Sequence, residues 1–411
     1  MIFMTAFTKT LKLHIKPKKE DIAALQEVTA CYRDGCNLVS KYIFENQFPL
    51  NYVQLHHTLY QELRTKCGLK SQMAISCIKT AVARYKGIRT QLSKNPYRYQ
   101  DEQGKWQSIP KTLDWLWKPV LFARPQADLV RNRDYSFVSD GQVLSINTLR
   151  GRIHVAFDIP NCFEEYFKEP WTFGVGKIVS LKNKWYLHIS ITKEIKETDA
   201  FSREEVKHVV GIDRGLRFIE AIYDEKGKTT FKTGKDILKK RAKFQEVRSQ
   251  LQAKGTKSAK RALKRISGRE NRWMTDINHQ LSKTLVSTYG TDTLFVLDDL
   301  TGVSFSEEIL NSRKKKQRNQ VRSWAFYQLG EFLTYKAEEV GSMVLEADPA
   351  YTSQRCPKCG RIHKENRDRD THTYTCDCCG YQSNDDRIGA MNLQFLGMLY
   401  ISGIEKPSFK H

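Results

Sequence analysis

Two CxxC pairs near the C-terminus constrain this chain more tightly than any other feature. Cys356 and Cys359 form one pair, and Cys376 and Cys379 form a second after sixteen intervening residues. Each CxxC turn points two sulfurs the same way, so two such turns can close a tetrahedron around one Zn²⁺. Gly360 and Gly380 follow the second cysteine of each pair, where a tight turn calls for a residue without a Cβ. Cys378, between the ligands of the second pair, is read as a bystander. The spacing therefore predicts a zinc ribbon over residues 351–383. A closed four-thiolate shell has no open coordination position, so this zinc holds a fold together and does no chemistry. The competing reading is a set of disulfides or buried thiols. The cysteines cluster too tightly for a stapled framework, and Cys31, Cys36, Cys67, Cys77 and Cys162 are scattered singly, as suits a reducing cytosol.

The charge balance points to a polyanion. Sixty-eight lysines and arginines against 46 acids leave a formal charge of +22. The cations are interleaved with aromatics along folded-looking segments, which favours nucleic acid over an acidic membrane surface. No apolar run approaches the length of a membrane span, and the opening MIFMTAFTKTLKLHIKPKK alternates like a strand, unlike a signal peptide. The expected location is the cytoplasm, on the nucleoid when DNA is bound.

Residues 5–15 place Phe7, Leu11, Leu13 and Ile15 on one side of an extended segment that Pro17 ends. Asp21 is read as the cap of a long helix carrying Leu25, Val28, Tyr32, Cys36, Val39 and Ile43 at spacings of three and four. Leu55, Leu59 and Leu63 mark a second helix, and a third starts at Ser71. The apolar stripes are read as the module's own core, which leaves its lysine and arginine face for a phosphate backbone. Between Asn95 and Pro125 the periodicity gives way to prolines and aromatics, including Tyr97, Tyr99, Trp106, Trp115 and Trp117. Two readings of this stretch stay open: rings beside Lys105, Lys111, Lys118 and Arg124 that stack on bases, or a connector packed on its neighbours. Strands follow at 135–138, 143–146 and 153–157, with Asp140-Gly141 as a turn, and a hairpin joins 173–181 to 185–192 through Lys182-Asn183-Lys184. A strand at the N-terminus and a strand cluster after the helices predict one small β-barrel interrupted by a helical insertion.

After a charged linker over 195–207, residues 209–213 form an apolar strand ending in Asp213, with a second strand over 217–223. Residues 235–289 read as one or two long helices, densely basic up to Arg272, with His279 in a core or capping role. A fully apolar strand, 293–297, runs into Asp298-Asp299. A polar loop through 313–316, a helix over 320–339 and a buried strand over 342–345 lead to the ribbon. Asn384-Asp385-Asp386 then caps a last helix, and the tail from Ser402 is expected to be loose.

Two strands that end in aspartate and a helix that begins with aspartates can converge in a mixed α/β domain. Three carboxylates at one point repel by several kcal/mol unless a cation neutralises them. Mg²⁺ takes oxygen ligands, and two such ions about 4 Å apart clamp the attacking water and the leaving oxygen of a phosphodiester. Nuclease chemistry is the natural reading; the plain alternative is that each aspartate merely caps a strand or helix.

The motifs GIDRGL around Asp213, LDDLTGV around Asp298, YTSQRCPKCG and CDCCGY in the ribbon, and NDDRIGAMNL around Asp386 resemble the TnpB family of transposon-encoded RNA-guided nucleases, relatives of the compact type V CRISPR effectors. The motifs occur in the family's order and cover about the last 200 residues. The upstream strand, helix and strand arrangement is similar to the family's wedge and recognition lobes but carries no sharp motif. The resemblance implies a multidomain α+β chain: a barrel wedge domain (1–18 and 119–207), a helical recognition domain (19–118), a RuvC-like nuclease domain of RNase H topology (208–350 and 384–401), the ribbon (351–383) and a tail (402–411). It also implies a guide RNA derived from the transposon end, double-stranded target DNA flanked by a short motif, and magnesium-dependent cleavage. Asp213 and Asp386 match the first and third acids of the family. The second position departs from the pattern, since Asp298 stands where the family usually carries glutamate and is one methylene shorter. Asp299, Glu307 and Glu308 are the candidate substitutes. Three functions follow: a guided endonuclease, a guided DNA-binding repressor with weak or no cleavage, and a guide-free transposase of RNase H fold.

Overall fold

The computed structural model describes residues 5–138, 142–195, 201–215, 217–300, 326–368 and 371–410. Two compact units divide the chain, one over Thr5–Glu194 and one over Ile195–His411.

In the first unit, β1 (Thr5–Lys16) leads into helices α1 (Lys19–Glu45), α2 (Tyr52–Lys66) and α3 (Ser71–Ser93), then into a short hairpin, β2 (Tyr97–Gln100) and β3 (Trp106–Ile109). The strands β4 (Gln126–Leu129), β5 (Tyr135–Phe137), β6 (Val143–Thr148), β7 (Gly151–Asp158), β8 (Thr172–Leu181) and β9 (Lys184–Ile195) complete it. Seven strands form one sheet in the order β4-β8-β9-β1-β7-β6-β5. The N-terminal strand thus lies in the middle, antiparallel to β7 with Ile15 opposite Phe157. The alternation expected of its apolar residues holds, since Phe7, Leu11, Leu13 and Ile15 are all buried. Lys182 and Asn183 both take positive φ, 52° and 62°, giving the two-residue turn whose twist matches its strands. Beyond it, Trp185, Leu187, Ile189 and Ile191 point inward. The helices are not a separate body. Leu25, Tyr32 and Val39 of α1 share one continuous core with Leu13, Leu144 and Leu187 of the sheet. A polar chain crosses the same contact: the Thr80 hydroxyl donates to Asp128 of β4 at 2.6 Å and lies 2.9 Å from the Tyr32 hydroxyl.

Two expectations for this unit change, and one strand is added. Asp21 is no cap: the helix starts at Lys19, and Asp21 sits in the first turn, where a carboxylate favours the positive end of the helix dipole. Residues 95–125 are not a plain connector, since they hold the β2–β3 hairpin. β4 escaped notice because four residues carry too little alternation to read. The turn expected at Asp140-Gly141 lies outside the described residues.

The second unit is built on a sheet of β10 (His208–Asp213), β11 (Phe218–Tyr223), β12 (Thr229–Thr233), β13 (Thr293–Asp298) and β14 (Met343–Ala347), in the order β12-β11-β10-β13-β14. The first three strands are antiparallel, while β10, β13 and β14 run parallel. Between β12 and β13 come α4 (Lys235–Lys254), α5 (Lys257–Ile266) and α6 (Arg269–Tyr289); α7 (Phe326–Glu339) precedes β14. The ribbon strands β15 (Arg367–Asp368), β16 (Thr373–Thr375) and β17 (Gln382–Asn384) lead into α8 (Asp385–Ile401). Val210, Ile212, Phe295 and Leu297 face α6 and α7 on one side. Val209, Leu294 and Val296 meet Leu393 and Leu396 of α8 on the other. This unit has the mixed α/β architecture with a ribbon that the RuvC-like expectation called for, and it follows in sequence the barrel sheet with its helical insertion.

Here too the sequence reading needs correction. The basic stretch is three helices, broken where Gly255 and Gly268 take left-handed φ of 63° and 71°. His279 neither joins the core nor caps a helix. Its exposed ring stacks on Phe332 of α7 at 3.9 Å. Apart from Ala347, β14 is only partly covered, being an edge strand. The loop over 313–316 lies outside the described residues, as does the start of the helix expected over 320–339. Among the described residues no helix is long and apolar enough to cross a membrane.

The tail is not loose. Phe409 is buried beside Leu393 and Leu396, its ring stacks on that of Phe395 at 6.2 Å, and the Arg355 guanidinium lies against both rings, at 4.8 and 4.6 Å. Lys410 adds an ion pair to Asp348 at 2.8 Å. The aromatic at position 409 anchors the segment by burial, which a run rich in polar residues and proline conceals. Phe409→Ala is therefore expected to cost about 3 kcal/mol of stability, read by chemical denaturation of the full chain; an unchanged midpoint would return the tail to a free segment.

Candidate active site

The strand ends bring two acids side by side. β10 and β13 are parallel neighbours with Ile212 opposite Leu297, so Asp213 and Asp298 follow as the next residue on each. Helix α8 brings the third. Asn384 caps it, its side-chain oxygen accepting from the amides of Asp386 and Arg387, which fixes where Asp386 stands. The helix then lies directly on β10. A Cβ on Gly211 would come within 2.1 Å of the Ala390 carbonyl oxygen, and one on Gly389 within 2.7 Å of Asp213 Oδ2. Gly389 is three residues beyond Asp386 and so on the same helix face, which sets Asp386 and Asp213 against each other.

The electrostatics agree. Asp213 is pushed well above the usual carboxylate range, first by burial and then by Asp298 and Asp386. Asp386 is raised by burial and by Asp385, with Arg367 opposing. Asp298 is raised by burial, against the pull of Arg214. A divalent cation with oxygen-preferring chemistry would relieve this crowding, and a carboxylate donor set suits such an ion.

Asp298 is not free in the way the sequence suggested. The Arg214 Nε donates to its Oδ1 at 3.1 Å, and the Arg214 Nη2 donates to its main-chain carbonyl. Both side chains are nearly buried. Gly330 of α7 makes room, since a Cβ there would lie 2.9 Å from Arg214 Nη1. Sequence reasoning missed Arg214, although its place directly after Asp213 was the available signal. It also missed Glu220 on β11, which is 1 % exposed with no hydrogen-bond partner for either carboxylate oxygen. Burial pushes Glu220 up to about 7, against Lys232 and Arg214. Asp299 turns elsewhere, lining a cavity of about 830 Å³ with Glu346, Asp348 and Tyr351. Glu307 and Glu308 lie outside the described residues.

The ribbon contributes a four-thiol cluster and two side chains beside the third acid. The thiols of Cys356, Cys359, Cys376 and Cys379 all lie within 4.8 Å of one another. Cys356 and Cys379 are 3.6 Å apart and Cys359 and Cys376 are 3.5 Å apart, close to the sulfur–sulfur edge of about 3.8 Å that Zn–S bonds near 2.3 Å give a tetrahedron. Gly360 and Gly380 take φ of 77° and 69°, as the knuckles require. The Arg361 amide holds the Cys359 thiol down at about 7. The four sulfurs fit a soft, tetrahedral ion; Cys378 lies outside the group. Beyond the cage, Arg367 pairs with the fully buried Asp385 at 2.9 Å, and His372 lies 3.4 Å from the same carboxylate. The ribbon thus braces the first turn of α8.

Comparison with known proteins adds independent findings. Residues 190–301 match the family model described as probable transposase, and residues 326–393 match that of the Cas12f1-like TNB domain. The chain is 24% identical over 367 residues to the CRISPR-associated endodeoxyribonuclease Cas12f1 of Sulfoacidibacillus thermotolerans, covering 84% of this chain and 81% of that one. It is 26% identical over 268 residues to a TnpB-like protein of Methanocaldococcus jannaschii, covering 62% of this chain and 91% of the relative. In fold it matches the cryo-EM structure of a Cas12f1–sgRNA–target DNA complex, with a TM-score of 0.54 at 10% identity, over 95% of this chain and 99% of that one.

Glu220 sets a pH signature. With its pKa raised from an ordinary value near 4.5 to about 7 in the folded chain, the native state binds more protons than the unfolded state between those values. Stability therefore falls as pH rises through that window. Glu220→Gln is expected to raise Tm at pH 8 and leave it near wild type at pH 4.5, measured by thermal scans at both values.

Proposed function

We propose, from its membership of the TnpB family of transposon-encoded RNA-guided nucleases, that this chain is an RNA-guided DNA endonuclease. Asp213, Asp298 and Asp386 are its catalytic carboxylates, and the observation that carries the reading is their convergence: two neighbouring parallel strands end in acid beneath a helix that begins with one. A guide RNA derived from the transposon end supplies the sequence reading by base pairing. The basic surfaces hold the heteroduplex through its backbone, and the protein inspects only a short motif flanking the double-stranded target. The barrel and helices of the first unit serve as wedge and recognition domains. The chain works in the cytoplasm, on the nucleoid once DNA is bound.

Asp213, Asp298 and Asp386 would hold Mg²⁺, which when bound supplies Lewis acidity to a phosphodiester oxygen and its attacking water. The chain's own part is orientation. Gly389 lets the Asp213 carboxylate sit against α8, the Asn384 cap fixes Asp386, and Arg214 grips Asp298 by side chain and main chain. Zinc in the four-cysteine cage is structural and holds the ribbon that braces Asp385.

A second reading has one observation behind it. Arg214 neutralises the short carboxylate of Asp298, which favours a guided DNA-binding repressor with weak or no cleavage. A guide-free transposase would purify without RNA.

The deciding experiment is cleavage of a plasmid library by the chain co-expressed with its flanking non-coding RNA, in magnesium, beside Asp298→Glu. Cutting by the unmodified chain is the expected result and yields the flanking motif; Asp213→Asn should abolish cutting and keep target binding. Cutting by Asp298→Glu alone would establish the repressor, and absence of co-purifying RNA would overturn both guided readings. For the ribbon, Cys356→Ser and Cys379→Ser are expected to lower both zinc content by elemental analysis and solubility; full activity without zinc would refute the assignment.

A further inference from the structure

The β2–β3 hairpin turns large rings into solvent. Tyr97 and Tyr99 stand on one face, with Ile109 opposite Tyr97, and Trp106 stands on the other. Tyr97 is 47% exposed and Trp106 67%. Trp115, from the segment that follows, closes on the first face with its ring 5.8 Å from that of Tyr97, and Tyr97 in turn stacks on Tyr99 at 6.2 Å and 19°. The result is a row of three half-open rings. Trp117, two residues further along the chain, is 81% exposed. Two strands of four residues are marginal in water, and one that spends aromatics on solvent is built to be covered.

The charge around the rings identifies what covers them. Lys111 lies 5.6 Å from the Trp115 ring centre and Lys118 lies 4.2 Å from that of Trp117. Arg98 lies within β2 on the Trp106 face, and Lys105 directly precedes β3. Two of the nearby acids are spent internally: Asp101 accepts from the Gln103 and Lys105 amides and the Gln107 side chain, and Asp114 from the Thr112 hydroxyl, while Glu102 at the hairpin tip is exposed. Cations seated on exposed ring faces are poorly suited to an apolar protein partner. They match a strand of nucleic acid, in which a base takes the ring face while the displaced ammonium moves to the adjoining phosphate. A duplex keeps its bases stacked on one another and has none to offer.

We propose that this hairpin, with Trp115 and Trp117, is a stacking platform for unpaired nucleotides. The proposal rests on the RNA-guided reading above, for which it names a surface that holds single-stranded segments. The test uses the full-length chain, a fluorescein-labelled oligouridine 12-mer as probe, and the same strand annealed to oligoadenosine. Replacing Tyr97, Trp115 and Trp117 together by alanine is expected to weaken single-strand binding roughly tenfold or more, with little effect on the duplex and an unchanged salt slope. The double variant Lys111→Gln and Lys118→Gln should instead reduce the salt slope by about 1.4. Tyr97, Trp115, Trp117 and Lys118 are exposed and Lys111 is half-buried, so thermal scans should match wild type.

Unchanged single-strand affinity in the alanine variant would overturn the proposal, as would an equal loss on the duplex. A concentration-dependent dimer of the unmodified chain that the alanine variant returns to monomer would also overturn it, assigning the rings to self-association. The two readings fail separately. Ring-dependent oligouridine binding by a chain that never cuts would leave the platform standing and sink the nuclease, whereas guided cutting with ring-independent binding would do the reverse.

Discussion

The second unit depends on one close approach, that of α8 to β10. A strand and a helix ordinarily keep apart by the thickness of their side chains. Here Gly211 on the strand and Gly389 and Gly397, about two turns apart on the helix, remove that spacer; a Cβ on Gly397 would fall 2.6 Å from Val296 and 2.7 Å from Val209. Backbone nearly touches backbone, and the last helix is locked in both height and rotation. Because Asp386 opens that helix, its position is set by packing several residues further on. The acids are therefore held by the rigid core of the unit rather than by a loop, which is what an ion demanding fixed oxygen geometry needs.

Electrostatics pull against that packing. Burial and like charge raise Asp213, Asp298 and Asp386 together, while Arg214 and Arg367 offset part of the cost from opposite sides. Arg214 reaches Asp298 from beneath α7, and Arg367 reaches Asp385 from the ribbon. The ribbon is thus more than a stapled appendage, because it carries Arg367 and His372 to the start of α8. Glu220, buried near Arg214 without a partner of its own, adds strain to the same neighbourhood.

Much of this was legible in the chain, for identifiable reasons. The cysteine spacing announced the cage, since two short turns leave sulfurs few alternatives. The alternation of Leu11, Leu13 and Ile15 gave the first strand, and Val209, Val210 and Ile212 gave the buried strand beneath Asp213. What escaped was set by partners distant in sequence. Nothing local to Arg214 says that it folds back on a residue 84 positions away, or that Gly330 leaves space for it. The breaks at Gly255 and Gly268 hide inside a uniformly basic stretch, and Phe409 lies in a segment whose composition reads as a free end. Exposure of the rings between Tyr97 and Trp117 was equally beyond local pattern, because aromatic content alone does not say which side of a surface a ring takes.

The place of β1 in the middle of the barrel sheet has a consequence for biosynthesis. Its neighbours, β7 and β9, are made more than a hundred residues later, so the first strand leaves the ribosome with both edges unpaired and its apolar row uncovered. Helices α1–α3 can form from local contacts meanwhile, but the sheet cannot close until β9 has been translated. Such long-range pairing makes for slow folding and a lengthy aggregation-prone interval. Lysines at positions 9, 12 and 16 along this strand supply the like-charge repulsion that keeps an open edge from meeting another nascent chain.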